Sequence, residues 1–246
     1  MIVTGLAALT NLKSLTIGSD FFPDLEHQHP LPTRTLLPAL IHFEFRGVNS
    51  YLEDLLARID APLLTSFVIT FVFQPIFNVP QLAQFMKRTA KFQALNEAHV
   101  EFDESLFRVD SFPPTQTFDE ISRLSISFEF AESPWPYDLA TQILTPFFPS
   151  IYIVEHLYIY GSRYFLAKYG EYGLDIFHPF TFVKDVYASK EFVLGLVPAL
   201  QELVEEGVTD VMPALEILFW EELQPSGPVR DVIGRFVALR SPYSRF

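Results

Sequence analysis

The sequence predicts an α/β solenoid of about eight strand-helix units, with parallel strands lining its concave side. Three observations predict it. An apolar-x-x-apolar-x-apolar pattern recurs along the chain, prolines stand shortly before several of its copies, and helical patterns fill many of the intervals.

The pattern reads Leu12-Leu15-Ile17, Leu40-Phe43-Phe45, Leu64-Phe67-Ile69, Leu95-Ala98-Val100, Ile121-Leu124-Ile126, Val154-Leu157-Ile159, Val183-Val186-Ala188 and Leu215-Leu218-Trp220. Between middle residues the steps are 28, 24, 31, 26, 33, 29 and 32. They scatter about the length of a long leucine-rich repeat, so the predicted architecture is an irregular leucine-rich-repeat-like solenoid spanning residues 1–246 as a single domain. The triplet alone is common in so apolar a chain, and the near-regular interval gives it weight.

Pro38, Pro62, Pro149 and Pro213 precede copies of the triplet. Proline biases the residue before it away from helix and cannot donate to a ladder, so it marks the start of an extended run. Helical spacing follows from Tyr51, Leu52, Leu55, Leu56 and Ile59, with Ser50 as the expected cap and Glu53 and Asp54 in the first turn. Pro80 to Arg88, Asp138 to Phe148, Glu191 to Glu206 and Val229 to Leu239 show the same period. The triplets would point inward from short strands and the helices would close the core from the convex side. A doubly wound α/β sheet is the alternative, since it also alternates strand and helix.

The asparagine ladder of ideal repeats is missing. Its positions hold Asp20, Val48, Val72, Asp103, Glu129, Ser162, Glu191 and Leu223, which predicts irregular units. Asp103 to Asp119, with Pro113 and Pro114, and Tyr160 to Phe177 read as long loops.

Composition excludes several classes of function. Thirty acidic against 17 basic side chains give a net charge of -13, which repels nucleic-acid phosphates and anionic lipid. Lys87, Arg88 and Lys91, the densest basic group, belong to a helix end. Cysteine is absent, so disulfides and thiol chemistry are excluded, in keeping with a cytoplasmic or nuclear setting. The apolar run Leu63 to Phe77 is too short and too interrupted to span a bilayer. No phosphate loop, nucleophile elbow, dinucleotide fingerprint or zinc-protease motif occurs, and neither a cofactor nor a metal is expected. His27 and His29 sit together only in a loop-like stretch. Neighbouring acids such as Glu205-Glu206 or Glu221-Glu222 diverge on either a helix or a strand and cannot share one cleft. An enzyme is not expected.

Residues between the inward positions face the other side of the strands. They begin with small polar side chains (Ser14, Thr16) and end with aromatics. His156, Tyr158, Tyr160, Asp185, Tyr187, Phe219 and Glu221 form the candidate partner-binding set, an aromatic patch edged by acids that include Glu155 and Glu222. Aromatic anchors beside carboxylates suit a protein segment that is part apolar and part basic.

Whole phrases of the chain resemble F-box proteins of mushroom-forming fungi: TRTLLPAL from Thr33, YLEDLLARIDAPLL from Tyr51, PQLAQF from Pro80, ALNEAHVEF from Ala94, VEHLYIY from Val154, and the long run from Pro198 to Val229. The resemblance implies a substrate-recognition region of a ubiquitin-ligase receptor whose F-box helices would dock on the ligase adaptor. No F-box-like opening stands before the first triplet, so the chain reads as truncated at its N-terminus, and an adaptor is expected only if an F-box lies upstream. The alternative is a stand-alone repeat scaffold or decoy with no ligase link.

Overall fold

The computed structural model describes residues 9–18, 34–72, 78–103, 106–113, 123–129, 154–161, 177–178, 180–220 and 228–240. Nine strands form one sheet: β1 (Ser14–Gly18), β3 (His42–Gly47), β5 (Ser66–Val72), β6 (Glu97–Phe102), β7 (Leu106–Phe112), β8 (Arg123–Glu129), β9 (His156–Gly161), β10 (Asp185–Ala188) and β11 (Ile217–Trp220). Two short strands, β2 (Thr35–Leu36) and β4 (Ile59–Asp60), pair separately. The described helices are α1 (Asn49–Arg58), α2 (Pro80–Arg88), α3 (Lys190–Glu206) and α4 (Pro228–Ala238), with a 3₁₀ turn at Ala90–Gln93.

The strand order, β1-β3-β5-β8-β7-β6-β9-β10-β11, overturns the predicted solenoid. Strands β6, β7 and β8 form an antiparallel meander set into an otherwise parallel sheet. It reverses the local order, so that β8 lies beside β5 and β6 beside β9. Three residues connect β6 to β7, too few for a helical unit, and the sheet is not a succession of strand-helix units. The unpredicted strand of the nine-stranded sheet is β7, inside the stretch read as a loop; the short β2 and β4 were not predicted either. The β7 alternation of Phe107, Val109 and Ser111 buries one face at period 2, but it carries no triplet, and the prolines after it masked the signal.

The triplet positions nevertheless fill the core. Phe43, Phe45, Phe67, Ile69, Ala98, Leu124, Leu157 and Val186 are all buried on the helix-covered face. Five strands also begin alike. Two consecutive N–H groups donate to one carbonyl of the neighbouring strand: Ile41 and His42 to Lys13, Thr65 and Ser66 to Ile41, Glu155 and His156 to Asn96, Lys184 and Asp185 to Glu155, Glu216 and Ile217 to Lys184. This shared start fixes the register and puts chemically equivalent residues side by side.

Helix ends are held differently from expectation in one place. Helix α1 starts behind Val48 with no side-chain cap, and Ser50 does not cap it. Glu53 lies instead against the start of α2, where its two oxygens accept from the N–H groups of Gln81 (2.7 Å) and Leu82 (2.8 Å). Burial raises the Glu53 carboxyl above its ordinary value, and the two N–H groups oppose that shift. Arg88, at the far end of α2, pairs with Asp60 at 3.1 Å.

Helix α3 opens on Ser189, whose hydroxyl accepts from Phe192 N–H. It closes on Gly207, whose φ of 70° is a left-handed conformation that favours glycine. Arg240 is buried after α4 and donates to the carbonyls of Val211 (2.7 Å), Phe236 (2.8 Å) and Val208 (3.2 Å). Burial lowers its pKa to about 10, which leaves it charged at neutral pH.

Candidate functional site

One face of the sheet is packed by helices, and no described element covers the other. Its open side carries two different halves. Across β1, β3, β5 and β8 it is mainly polar, with Val68 set among Ser14, Thr16, Glu44, Ser66, Thr70, Ser125 and Ser127. Arg46 reaches over β5 to form a two-point ion pair with Glu129, both bonds at 2.9 Å. Arg108 and Arg123 share Asp110, at 2.9 and 3.0 Å. His42 Nδ1 meets Ser66 Oγ at 2.9 Å, while Glu44 lies 4.0 Å from the other ring nitrogen. That last gap is beyond hydrogen-bond reach, so the three do not form a connected nucleophile-base-acid chain.

Across β6, β9, β10 and β11 the same face is aromatic. Register pairs His99 with Tyr158, Tyr158 with Tyr187 and Tyr187 with Phe219. Their rings stack at centroid distances of 4.4, 4.5 and 4.7 Å, with planes 27°, 9° and 10° apart. Neighbouring strands stand about 4.8 Å apart, so identical register and flat side chains suffice to make such a ladder. Phe112 closes its β6 end, edge-on to His99 at 5.1 Å. Tyr160 flanks it in the next row, 6.2 Å from His99 and 40% exposed.

Charge borders the ladder on the side where the strands begin. His99 contacts Glu97 at 2.7 Å, His156 contacts Asp185 at 2.9 Å, and Lys184 pairs with Glu155 at 2.9 Å. The lysine holds Glu155 below the ordinary carboxylate value, and Glu155 in turn raises Lys184. Tyr158 is raised, by burial first and by Glu97 next, and so keeps its phenol proton at neutral pH.

Six of the seven candidate residues thus fall on one continuous surface: His156, Tyr158, Tyr160, Asp185, Tyr187 and Phe219. Glu221 lies outside the described residues, as does Glu222. The expected acids Glu155 and Asp185 border the patch but are engaged by Lys184 and His156. Sequence reasoning put His99 on this side of its strand but outside the patch, and it missed Phe112. Chain order set the strand of Arg123 and Ser125 between His99 and Tyr158, whereas the meander seats His99 directly against Tyr158. The signal that could have found it is the period-2 run of β7.

Among the described residues no group of three or more His, Asp or Glu side chains could hold a metal ion. No described helix is long and apolar enough to cross a membrane. An apolar cavity of about 30 Å³, too small for more than a water or two, lies on the helix side between Val186, Leu218, Phe192, Leu196 and Phe236. Compared with family models, with curated proteins and with solved structures, the chain finds no match.

Proposed function

We propose that the open face over β6, β9, β10 and β11 is a protein-recognition surface. The observation that carries this reading is the His99-Tyr158-Tyr187-Phe219 ladder left facing solvent, with Phe219 45% exposed. Exposed aromatics lose hydrophobic stabilisation that burial would supply, and rigid aromatic side chains are the commonest anchors of protein interfaces. The carboxylates of Glu101 and Glu216 and the chain's net charge of -13 favour a partner that is part apolar and part basic.

The F-box-like phrases give the reading its biological sense. This face would hold a protein destined for ubiquitin transfer, in a receptor for a ubiquitin ligase. The test is a paired capture with the wild-type chain and a Tyr158→Ser, Tyr187→Ser variant whose melting temperature is measured in parallel. Specific partners should be lost from the variant, and binding of the purified partner should weaken by about thirtyfold, as for an interface anchor. An identical set of partners at unchanged affinity would sink the assignment.

A further inference from the structure

The ladder is closed at one end and open at the other. At β6, Phe112 meets the ring of His99; at the sheet edge, Phe219 stacks on Tyr187 with one face and has no described ring against its other face. Inner rings spend both faces on each other and offer a partner only their edges. The surface is therefore most incomplete beyond β11.

Four further features mark that edge. Along the row where the strands begin, charges alternate Glu155, Lys184, Glu216, and the alternation stops on the exposed Glu216. In the next row Asp185 is followed by Ile217, which is 43% exposed. On the covered face Leu218 is only half-buried, whereas its counterparts Leu157 and Val186 are buried. The backbone also faces outward. Ile217 donates to Lys184, so in a parallel ladder the alternate residue, Leu218, turns its N–H and carbonyl away from β10.

We propose that β11 receives an extended segment of the partner protein as a tenth strand, parallel and in register. That segment carries Lys or Arg opposite Glu216, an aliphatic residue opposite Ile217 and an aromatic residue opposite Phe219. Main-chain bonds to Leu218 supply affinity, and the three side chains supply choice. This rests on the reading of the open face as a recognition surface and names the partner's sequence: basic, aliphatic, any residue, aromatic. A second copy of the chain is the competing occupant, because the opposite edge strand β1 is preceded by Lys13 at the cation position.

The experiment uses the full chain and a fluorescent peptide with an Arg-Val-Thr-Tyr core, followed by anisotropy. Saturable binding is expected. N-methylation of the peptide's tyrosine, which removes the N–H aimed at Leu218, should abolish it, and N-methylation of the preceding threonine should leave it intact. Glu216→Lys should weaken the Arg peptide about tenfold or more, and a Glu-for-Arg peptide should recover that loss. Equal effects of the two methylations, or tighter binding of the reversed sequence, would overturn the proposal. So would concentration-dependent assembly of the chain that Lys13→Glu dissolves. If the peptide fails while the Tyr158→Ser, Tyr187→Ser variant still loses its partners, the edge assignment falls and the recognition face stands. If that variant keeps its partners, the face itself falls.

Discussion

The molecule uses one device twice, on opposite sides of its sheet. Between β3 and β5, Phe43 and Phe67 are register partners whose rings stack 5.0 Å apart; between β5 and β8, Phe71 and Phe128 do the same at 5.0 Å. Those rings lie on the helix-covered face and are buried. Between β6, β9, β10 and β11 the equivalent stack stands on the open face, while the covered face of β9, β10 and β11 carries leucine, isoleucine, valine, alanine and tryptophan. Burial turns stacked rings into core packing. Exposure leaves the same geometry available to another molecule, at a loss of the apolar burial that makes the first kind stabilising.

The sharpest way to break the comparison is to cut one ring from each stack. Phe67 packs against Phe43, Phe85 and Phe92, so Phe67→Ala leaves a large void and should destabilise by about 3–5 kcal/mol. Tyr187→Ala removes two stacked contacts on a surface that water can refill, and should cost about 1–2 kcal/mol. Chemical denaturation of both variants measures the two values. Equal losses would mean that the exposed ladder is structural and would remove the physical ground for reading it as a binding surface.

The two sides of the sheet also titrate with opposite sign. Glu53 is raised by burial, so between its ordinary value and its folded value the native state holds the proton more tightly than the unfolded chain. Its contribution to stability therefore grows as pH falls through that window. Glu155 is lowered by Lys184, so its contribution is present above the ordinary carboxylate value and fades as pH falls through the folded value. Comparing Glu53→Gln and Glu155→Gln with wild type from neutral pH down to about 4 should show wild type gaining on the first variant and losing its advantage over the second. The second effect is the weaker, because the Glu155–Lys184 pair stands at the surface, with side chains 42% and 46% exposed, and is screened by solvent. Parallel curves for both variants would contradict these shifts.

What could be read from the chain follows the range of each signal. The triplets located core strands because burial of alternate residues is local, and Pro80 to Arg88 was bounded correctly by a proline at one end and basic residues at the other. The ladder members Tyr158, Tyr187 and Phe219 were found because consecutive parallel strands keep one register. Strand order was not readable there. The triplets of Ala98 and Leu124 are consecutive in sequence, yet β7 separates them, and nothing in the spacing of two triplets reports a hairpin between them. The solenoid prediction and the omission of His99 share this single cause. Glu53 was taken for a first-turn acid of its own helix because its true role, at the start of α2, depends on how two helices pack.

The mildest change tests whether the polar half is ordered by its ion pairs or merely decorated with them. Arg46 and Glu129 form a two-point contact across an intervening strand, with side chains 46% and 36% exposed. A bidentate pair is the geometry most able to contribute at a surface, but solvent and salt screen it, and holding two long side chains costs entropy. Arg46→Ala should therefore lower stability by less than about 1 kcal/mol, and the loss should shrink further in concentrated salt. Recognition of the partner through the aromatic half should be unchanged, since the pair stands on β3 and β8 while the ladder begins at β6. Melting curves at two ionic strengths, together with the partner-capture measurement, check both parts. A loss of partner binding in Arg46→Ala would show that the polar half belongs to the recognition surface and that the boundary between the halves is misplaced.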